Sequence, residues 1–254
     1  MVIHIDIHRD RLPEMKQSIA CIGYFDGVHR GHQQLIQTAV ENSLSAHTEA
    51  SVICFEPDPI QIITAEIPSH ILSYAQRIGK LQEYGIKDII VFSFDDDLMR
   101  MDAKDFVNDY LNRMELQQLI CGFDFTFGSL GKGDPGLLKT YGNFETVVIP
   151  EYRFEGEKVS ATRIKEALFR GDFSLAEALL GYAYYTDMNV TDCSRNGLKW
   201  LIEAIPADPY VVIPQDGIYQ GMEIKENRIY FENSTSWNIG DQIKIRYRDY
   251  ERTV

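Results

Sequence analysis

The chain has 254 residues, of which 44% are hydrophobic and 25% charged, as in globular proteins with a buried core and unlike disordered or collagen-like chains. Its 38 acidic and 25 basic residues give a formal net charge of −13, which disfavours nucleic-acid binding because a phosphate polymer would be repelled. A small phosphate ligand in a locally positive pocket remains compatible with this charge.

The cysteines and the N-terminal sequence predict a soluble protein of the cytoplasm, with no membrane partner. No two cysteines have metal-type spacing, and three lie in apolar runs, so we expect buried thiols in a reducing compartment. The N-terminal sequence MVIHIDIHRD alternates like a strand and lacks the apolar segment of a signal peptide. No apolar run approaches the length of a membrane span.

Short apolar runs alternate with amphipathic stretches over the first 180 residues. We predict strands at Ser18–Tyr24, Ala50–Glu56, Lys87–Phe94, Gln117–Gly122 and Phe144–Ile149. We predict helices at Gly31–Leu44, Tyr74–Tyr84, Ala103–Met114, Ala161–Arg170 and Ser174–Leu180. This alternation predicts an α/β fold with a Rossmann-like parallel sheet, whose ligands bind at the carboxyl ends of the strands.

The sequence changes character after Gly181. Short β-like runs separated by turn residues fill Tyr210–Tyr247 and predict a small antiparallel β domain. We place the domain boundary near residue 185, which gives a nucleotidyltransferase domain at 1–184 and a small β domain at 185–254.

The segment Gly23–His32, GYFDGVHRGH, carries the most chemical information because it joins a predicted strand to a predicted helix. Free amides at a helix start favour an anion, and His29 and His32 are spaced to face the same side of the first turn. Two imidazoles at an anion site suit phosphoryl or nucleotidyl transfer. A solvated helix start is the alternative; a zinc site is less favoured, because no other histidine suggests a third ligand.

The string GYFDGVHRGHQQLI resembles the nucleotide-binding signature of the bacterial FAD synthetase family, the FMN adenylyltransferases of the HxGH nucleotidyltransferase superfamily. Three further segments follow in the order of that family: FEPDP at Phe55–Pro59, GFDFTFG at Gly122–Gly128 and VSATRI at Val159–Ile164. The resemblance therefore covers roughly the first 180 residues.

The resemblance implies transfer of AMP from ATP to FMN, giving FAD and pyrophosphate, with Mg²⁺ accompanying the triphosphate and no metal ligand assigned to the protein. The implied catalytic residues are His29, His32 and Arg163. The implied ATP-binding residues are Gly23, Phe25, Asp26, Gly31, Ser160 and Thr162. The implied flavin-binding residues are Phe55, Pro57, Asp124 and Phe127.

Several of these residues have simpler interpretations. Ser160 is also a plausible helix N-cap, Asp124 a turn residue, and the phenylalanines core residues. The run Asp95–Asp97 is interpreted as a solvated loop without a role. The chain departs from the family pattern at Asp58, where the family has His, and at Gly131, where it has Arg.

Most family members continue into a riboflavin kinase domain with a GFPTAN-like segment. Nothing after Gly181 resembles that segment, so we predict a reduced kinase-like remnant without kinase activity. Two other functions compete: nucleotidyl transfer to another phosphorylated acceptor, such as phosphopantetheine, nicotinamide mononucleotide or glycerol phosphate, and a non-catalytic flavin or nucleotide regulator. Retention of both His29 and His32 argues against the regulator. The sequence predicts no particular oligomeric state.

Overall fold

The computed structural model describes residues 1–8, 12–64, 68–219 and 221–247. These residues divide into two compact units. The first contains the described residues of Met1–Pro68 and Ala75–Lys158, and the second contains Ser69–Tyr74 and the described residues from Val159 onward. The domain boundary predicted near residue 185 falls inside the second unit, at the start of its first strand, and it stays a prediction.

A six-stranded parallel sheet forms the centre of the first unit and confirms the predicted α/β fold. Its strands are β1 (Val2–Ile5), β2 (Ser18–Ile22), β3 (Glu49–Glu56), β4 (Asp88–Ser93), β5 (Leu116–Gly122) and β6 (Glu145–Ile149). The spatial order is β1-β4-β3-β2-β5-β6. Because the chain proceeds from β2 to β3 on one side and later to β5 on the other, the strand order reverses beside β2. Ligands of open parallel sheets bind at such a reversal.

Six helices connect these strands. They are α1 (Arg30–Ser45), α2 (Pro59–Thr64), α3 (Tyr74–Glu83), α4 (Asp96–Arg100), α5 (Ala103–Asp109) and α6 (Pro135–Tyr141). A two-stranded hairpin, β7 (Arg153–Phe154) and β8 (Glu157–Lys158), follows β6. The helix predicted from residue 103 to Met114 is shorter than expected, because it ends at Asp109 and a 3-10 turn follows.

The acidic run Asp95–Asp97 is part of a helix, contrary to the solvated loop that we predicted. The Asp95 carboxylate accepts hydrogen bonds from the backbone amides of Asp97 and Leu98, at 3.1 and 2.8 Å. Asp95 is therefore the N-cap of α4, and the two following aspartates lie in its first turn, where the helix dipole favours negative charge.

A core of buried side chains fixes the sheet and the helices that pack on it. Phe92 on β4 contacts Phe106 on α5, with ring centroids 5.5 Å apart, and Phe106 contacts Phe127 at 6.0 Å. Burial of one such ring stabilises the fold by roughly 1.5–3 kcal/mol. The core therefore extends to Phe127, which the sequence places in the flavin site.

The second unit combines two helices with a six-stranded antiparallel sheet. The helices are α7 (Ala161–Arg170) and α8 (Phe173–Leu180). The strands are β9 (Tyr185–Asn196), β10 (Lys199–Pro206), β11 (Gly217–Tyr219), β12 (Met222–Lys225), β13 (Arg228–Asn233) and β14 (Gln242–Arg246), in the order β11-β12-β13-β10-β9-β14. The small β domain is therefore present, but its two longest strands, β9 and β10, were not predicted.

An aromatic cluster forms part of the core of the second unit. The ring of Tyr247 stacks on Phe173 and on Tyr184, with centroid distances of 5.2 and 5.6 Å, and Phe173 also contacts Tyr219.

Throughout the part of the chain that the structure describes, every helix is too short or too polar to cross a membrane.

Candidate active site

The loop that leaves β2 is held in a strained conformation. Its first amide, from Gly23, donates to the carbonyl of Ile53 on β3 at 3.1 Å, which continues the parallel pairing. Phe25, Gly27 and Val28 all have positive φ, of 62°, 72° and 37°. Only glycine adopts this region without cost, so the burial of both Phe25 and Val28 must hold the turn.

His29 is the N-cap of α1, and the structure brings its ring onto that of His32. The backbone amide of His32 donates to Nδ1 of His29 at 3.3 Å. Nδ1 is therefore the unprotonated nitrogen of the neutral ring, and Nε2 carries the proton. The two rings stack with centroids 3.7 Å apart, and Phe25 packs edge-on against His32 at 5.2 Å.

Burial keeps both imidazoles neutral at physiological pH. It lowers the pKa of His29 from 6.5 to about 4, although the nearby Asp26 charge opposes the shift. Burial, together with His29, also lowers the pKa of His32 well below its ordinary value. Among the described residues, Nδ1 of His32 is buried without a hydrogen-bond partner. A buried nitrogen without a partner is costly.

The other residues predicted to shape the nucleotide pocket lie in the loop after β2 or in the first turn of α1. Asp26 is buried and lies close enough to His29 to raise its pKa. A Cβ on Gly31 would stand 3.2 Å from the His29 ring, so glycine is the residue that leaves this ring undisturbed. A Cβ on Gly23 would stand 3.4 Å from the ring of Phe25, which is an ordinary contact.

The depressed pKa of His29 predicts a loss of stability in acid. Between pH 6.5 and 4 the unfolded state binds more protons than the folded state, so the free energy of unfolding falls as the pH falls. We expect a loss of up to about 3 kcal/mol from this group. Denaturant unfolding of the wild type and of His29→Gln between pH 7 and pH 4 measures it. The acidic residues change the free energy of unfolding of both proteins alike. If that free energy falls with pH equally in the wild type and in His29→Gln, the prediction is wrong.

An apolar cavity of about 430 Å³ opens beside the ends of β3 and β5, within the usual size range of small-molecule sites. Its walls include the side chains of Phe55, Phe94, Leu98, Met99, Phe106 and Phe127. Two of the four predicted flavin residues, Phe55 and Phe127, are therefore lining residues and core residues at once. Such a flat-sided aromatic cavity suits a planar ring system.

Asp124 lies in the turn after β5, and its carboxylate pairs with the ammonium of Lys158 on β8. That ammonium also lies 5.2 Å from the ring centroid of Phe123. Both charges act on His29: the charge of Lys158 lowers the pKa of His29, and that of Asp124 raises it. Asp124 thus lies in the electrostatic environment of the histidine pair, and its contact with flavin stays a prediction, as does that of Pro57.

The residue that replaces the family's histidine in the FEPDP turn has a structural role. The carboxylate of Asp58 accepts from the amide of Ile60 at 2.9 Å, at the start of α2. Aspartate is a favourable residue at this position because it satisfies a free amide of the first helical turn. This hydrogen bond explains why aspartate can replace the family's histidine at position 58.

The predicted second anion site lies in the second unit, at the start of α7. The Ser160 hydroxyl accepts from the backbone amide of Arg163 at 3.3 Å, so Ser160 is the N-cap that the simpler interpretation required. Thr162 is exposed and Arg163 half-buried in the first turn. A capped helix start with a guanidinium suits phosphate oxygens. The contribution of these three residues to ATP binding remains a prediction.

Arg77 on α3, whose side chain is only 2% exposed, has no role among the residues predicted from sequence. The signal was available, because Arg77 stands four residues before the buried Leu81 and so shares its helix face. Its guanidinium contacts the loop after β2 and the end of β3.

Within the described residues, no group of three or more His, Cys, Asp or Glu side chains is arranged to hold a metal ion. Mg²⁺ commonly binds through substrate phosphates and water, with few protein ligands.

Known proteins are similar to this chain over most of its length. The family model of FAD synthetases matches residues 12–163, more than half of the chain. The chain is 27% identical over 215 residues to a bifunctional riboflavin kinase/FMN adenylyltransferase of Bacillus subtilis, covering 81% of this chain and 67% of that protein. A protein of the same name from Escherichia coli K12 is 30% identical over 183 residues, covering 70% of this chain and 58% of its own length.

A solved structure shares the fold. The crystal structure titled as a macrolide-efflux protein from Streptococcus pneumoniae superposes with a TM-score of 0.86 and 24% sequence identity. The match covers all of this chain and 90% of that one. At this level of identity the likeness concerns the fold alone.

Proposed function

The chain belongs to the FAD synthetase family, enzymes of FAD synthesis, and from this membership and its paired histidines we propose that it transfers AMP from ATP to FMN. A phosphate oxygen of FMN attacks the α-phosphorus of ATP. The new P–O bond forms as the bond between the α-phosphorus and the bridging oxygen breaks, and pyrophosphate leaves. The protein needs no covalent intermediate for this reaction; it positions the reactants and stabilises charge.

The observation that carries this proposal is the stacked pair His29–His32 at the start of α1, next to the reversal of strand order. A neutral His29 with its proton on Nε2 is a hydrogen-bond donor for a phosphate oxygen whose charge grows in the transition state. The first amides of α1 supply further donors at the same place. Mg²⁺ accompanies ATP and neutralises part of the charge on the triphosphate.

The apolar cavity supports a flavin as the acceptor. An isoalloxazine ring is flat and largely apolar, which matches walls built from Phe55, Phe94 and Phe127. Phosphopantetheine and glycerol phosphate have no aromatic ring with which to fill such a cavity. The cavity therefore favours FMN over phosphopantetheine and glycerol phosphate. Nicotinamide mononucleotide has an aromatic ring of its own, and experiment distinguishes it from FMN.

The test is direct. The purified protein is incubated with ATP, Mg²⁺ and either FMN, phosphopantetheine or nicotinamide mononucleotide, and the products are separated by chromatography. We expect FAD and pyrophosphate from FMN. Faster conversion of another acceptor would favour the second hypothesis, and flavin binding without any product would favour the regulator.

We predict that riboflavin plus ATP gives no FMN. The sequence after Gly181 has no GFPTAN-like segment, and two of the acidic side chains there form ion pairs. Glu203 pairs with Arg228, and Glu232 pairs with Lys199 at 3.0 Å. Surface ion pairs of a small sheet explain these residues without a metal or a second ATP. Chromatography of flavins after incubation measures the outcome, and FMN formed from riboflavin would make the enzyme bifunctional.

A further inference from the structure

Arg77 makes its contacts with two segments that are far from it in sequence. Its Nη1 donates to the backbone carbonyl of Tyr24 at 3.2 Å, and its Nη2 donates to the carbonyl of Phe55 at 3.4 Å and to the carboxylate of Glu56. The centre of the guanidinium also lies 4.3 Å from the centroid of the Tyr24 ring. One buried side chain thus connects the loop after β2 with the end of β3.

Each of these segments continues into one half of the candidate site. Tyr24 precedes Phe25, whose ring packs against His32. Phe55 presents its carbonyl to Arg77 and is also one of the residues that line the apolar cavity, where its ring contacts that of Phe94 at a centroid distance of 5.9 Å. The contacts of Arg77 therefore lead in one direction to the histidine pair and in the other to the cavity.

A buried charge such as that of Arg77 is costly unless other groups compensate it. A guanidinium with this little exposure is stable only when acceptors surround it, and here they come from both segments. Displacing either segment would leave the charge without part of its partners. The planar fork of arginine also fixes the directions of its bonds, which the single ammonium of lysine does not do.

We propose that Arg77 is a positioning residue that holds the histidine loop and the flavin cavity in one relative geometry, so that FMN and ATP bind in reacting positions. The proposal rests on the proposed function. A misplacement of about 1 Å between reactants can lower a rate by roughly 10²-fold, so the effect should be large for a residue that touches neither substrate.

The test uses Arg77→Met, Arg77→Lys and the matched control Lys80→Met. Lys80 lies on the same helix and pairs with Glu83 of that helix, at 2.6 Å. For Arg77→Met we expect kcat to fall and the KM values for ATP and FMN both to rise, with a loss of about 10–10²-fold in kcat/KM. Arg77→Lys should recover part of the loss, and Lys80→Met should stay within about twofold of the wild type.

Binding measurements separate this proposal from the proposed function. FMN binding is followed by quenching of flavin fluorescence, and ATP binding by calorimetry, so neither needs turnover. If the wild type makes no FAD, the proposed function fails, while weaker binding of both compounds by Arg77→Met still supports the positioning role. If Arg77→Met does not fold, Glu56→Gln removes the ion pair from a side chain that is 39% exposed. Unchanged affinities in a folded variant, or a loss confined to one substrate, would overturn the proposal.

Discussion

Replacing His29 or His32 with alanine is expected to lower the turnover of FAD synthesis by about 10²–10³-fold, the usual loss for one donor that stabilises developing charge. The binding of ATP should weaken much less, because the backbone amides at the start of α1 remain in place. Steady-state kinetics with ATP and FMN, together with direct ATP titration, separates the two effects.

The chemistry of the pair explains why the effect falls on turnover. Burial keeps both rings uncharged in the free protein, so they do not attract the anionic substrate strongly before it arrives. A neutral N–H strengthens its bond as the phosphate oxygen gains charge, and this gain is realised in the transition state. Binding energy is thereby directed to the chemical step.

Two control variants keep this prediction specific. His29 also caps α1, and loss of a cap costs about 1 kcal/mol, so His29→Ala changes stability as well as chemistry. His29→Asn retains a good capping residue and should lose activity all the same. The exposed His47 provides the second control, since His47→Ala should leave turnover unchanged. Near-wild-type turnover in both His29→Ala and His32→Ala would refute the role given to the pair.

Many strands and helices of the first unit could be predicted because short runs of neighbouring residues determine them. Apolar runs such as Ser18–Ile22 are buried on both faces of a parallel sheet, and this pattern is legible in sequence. The strand β9 was missed because Asp187, Asn189 and Asp192, which are residue types uncommon in strands, interrupt its buried positions. The start of α4 was missed because three aspartates look like a solvated loop until one of them is seen to cap a helix.

The remaining features depend on contacts that are distant in sequence. Arg77 reaches a carbonyl 53 residues away, and no local pattern encodes that bond. The segment Ser69–Tyr74 groups with the second unit through contacts such as His70 with Asp208, at 3.0 Å. Motif residues could be assigned to a site from sequence because the loop after β2 is a continuous string, whereas the residues that hold that string in position are dispersed along the chain.

Substitution of Gly128 by alanine is expected to destabilise the fold by about 2–5 kcal/mol and to damage the apolar cavity that it lines. Gly128 has φ of 70° and ψ of −178°, a backbone region that is essentially restricted to glycine. A Cβ there would stand 2.6 Å from Cα of Ala103, which is backbone and cannot move aside like a flexible side chain. The backbone strain at position 128 and the collision with Ala103 therefore both lower the stability of the variant.

The matched control for this variant is Gly156→Ala. Gly156 also has a positive φ, of 82°, but a Cβ there would meet nothing within 4 Å. It therefore measures the conformational cost alone, about 1–2 kcal/mol. Because Gly156 is not one of the residues that line the cavity, FMN binding should be unchanged. Denaturant unfolding compares the two variants, and flavin fluorescence titration compares their affinities for FMN.

The two measurements together decide whether this loop shapes the flavin site. To relieve the collision with Ala103, the segment from Gly128 to Gly131 must shift, and this segment forms one wall of the cavity. FMN affinity should then fall by about tenfold, the equivalent of 1.4 kcal/mol, while ATP affinity changes little because the histidine loop follows a different strand. A Gly128→Ala protein as stable as Gly156→Ala, with unchanged FMN affinity, would show that the cavity tolerates movement of this wall and is not the flavin site that its aromatic lining predicts.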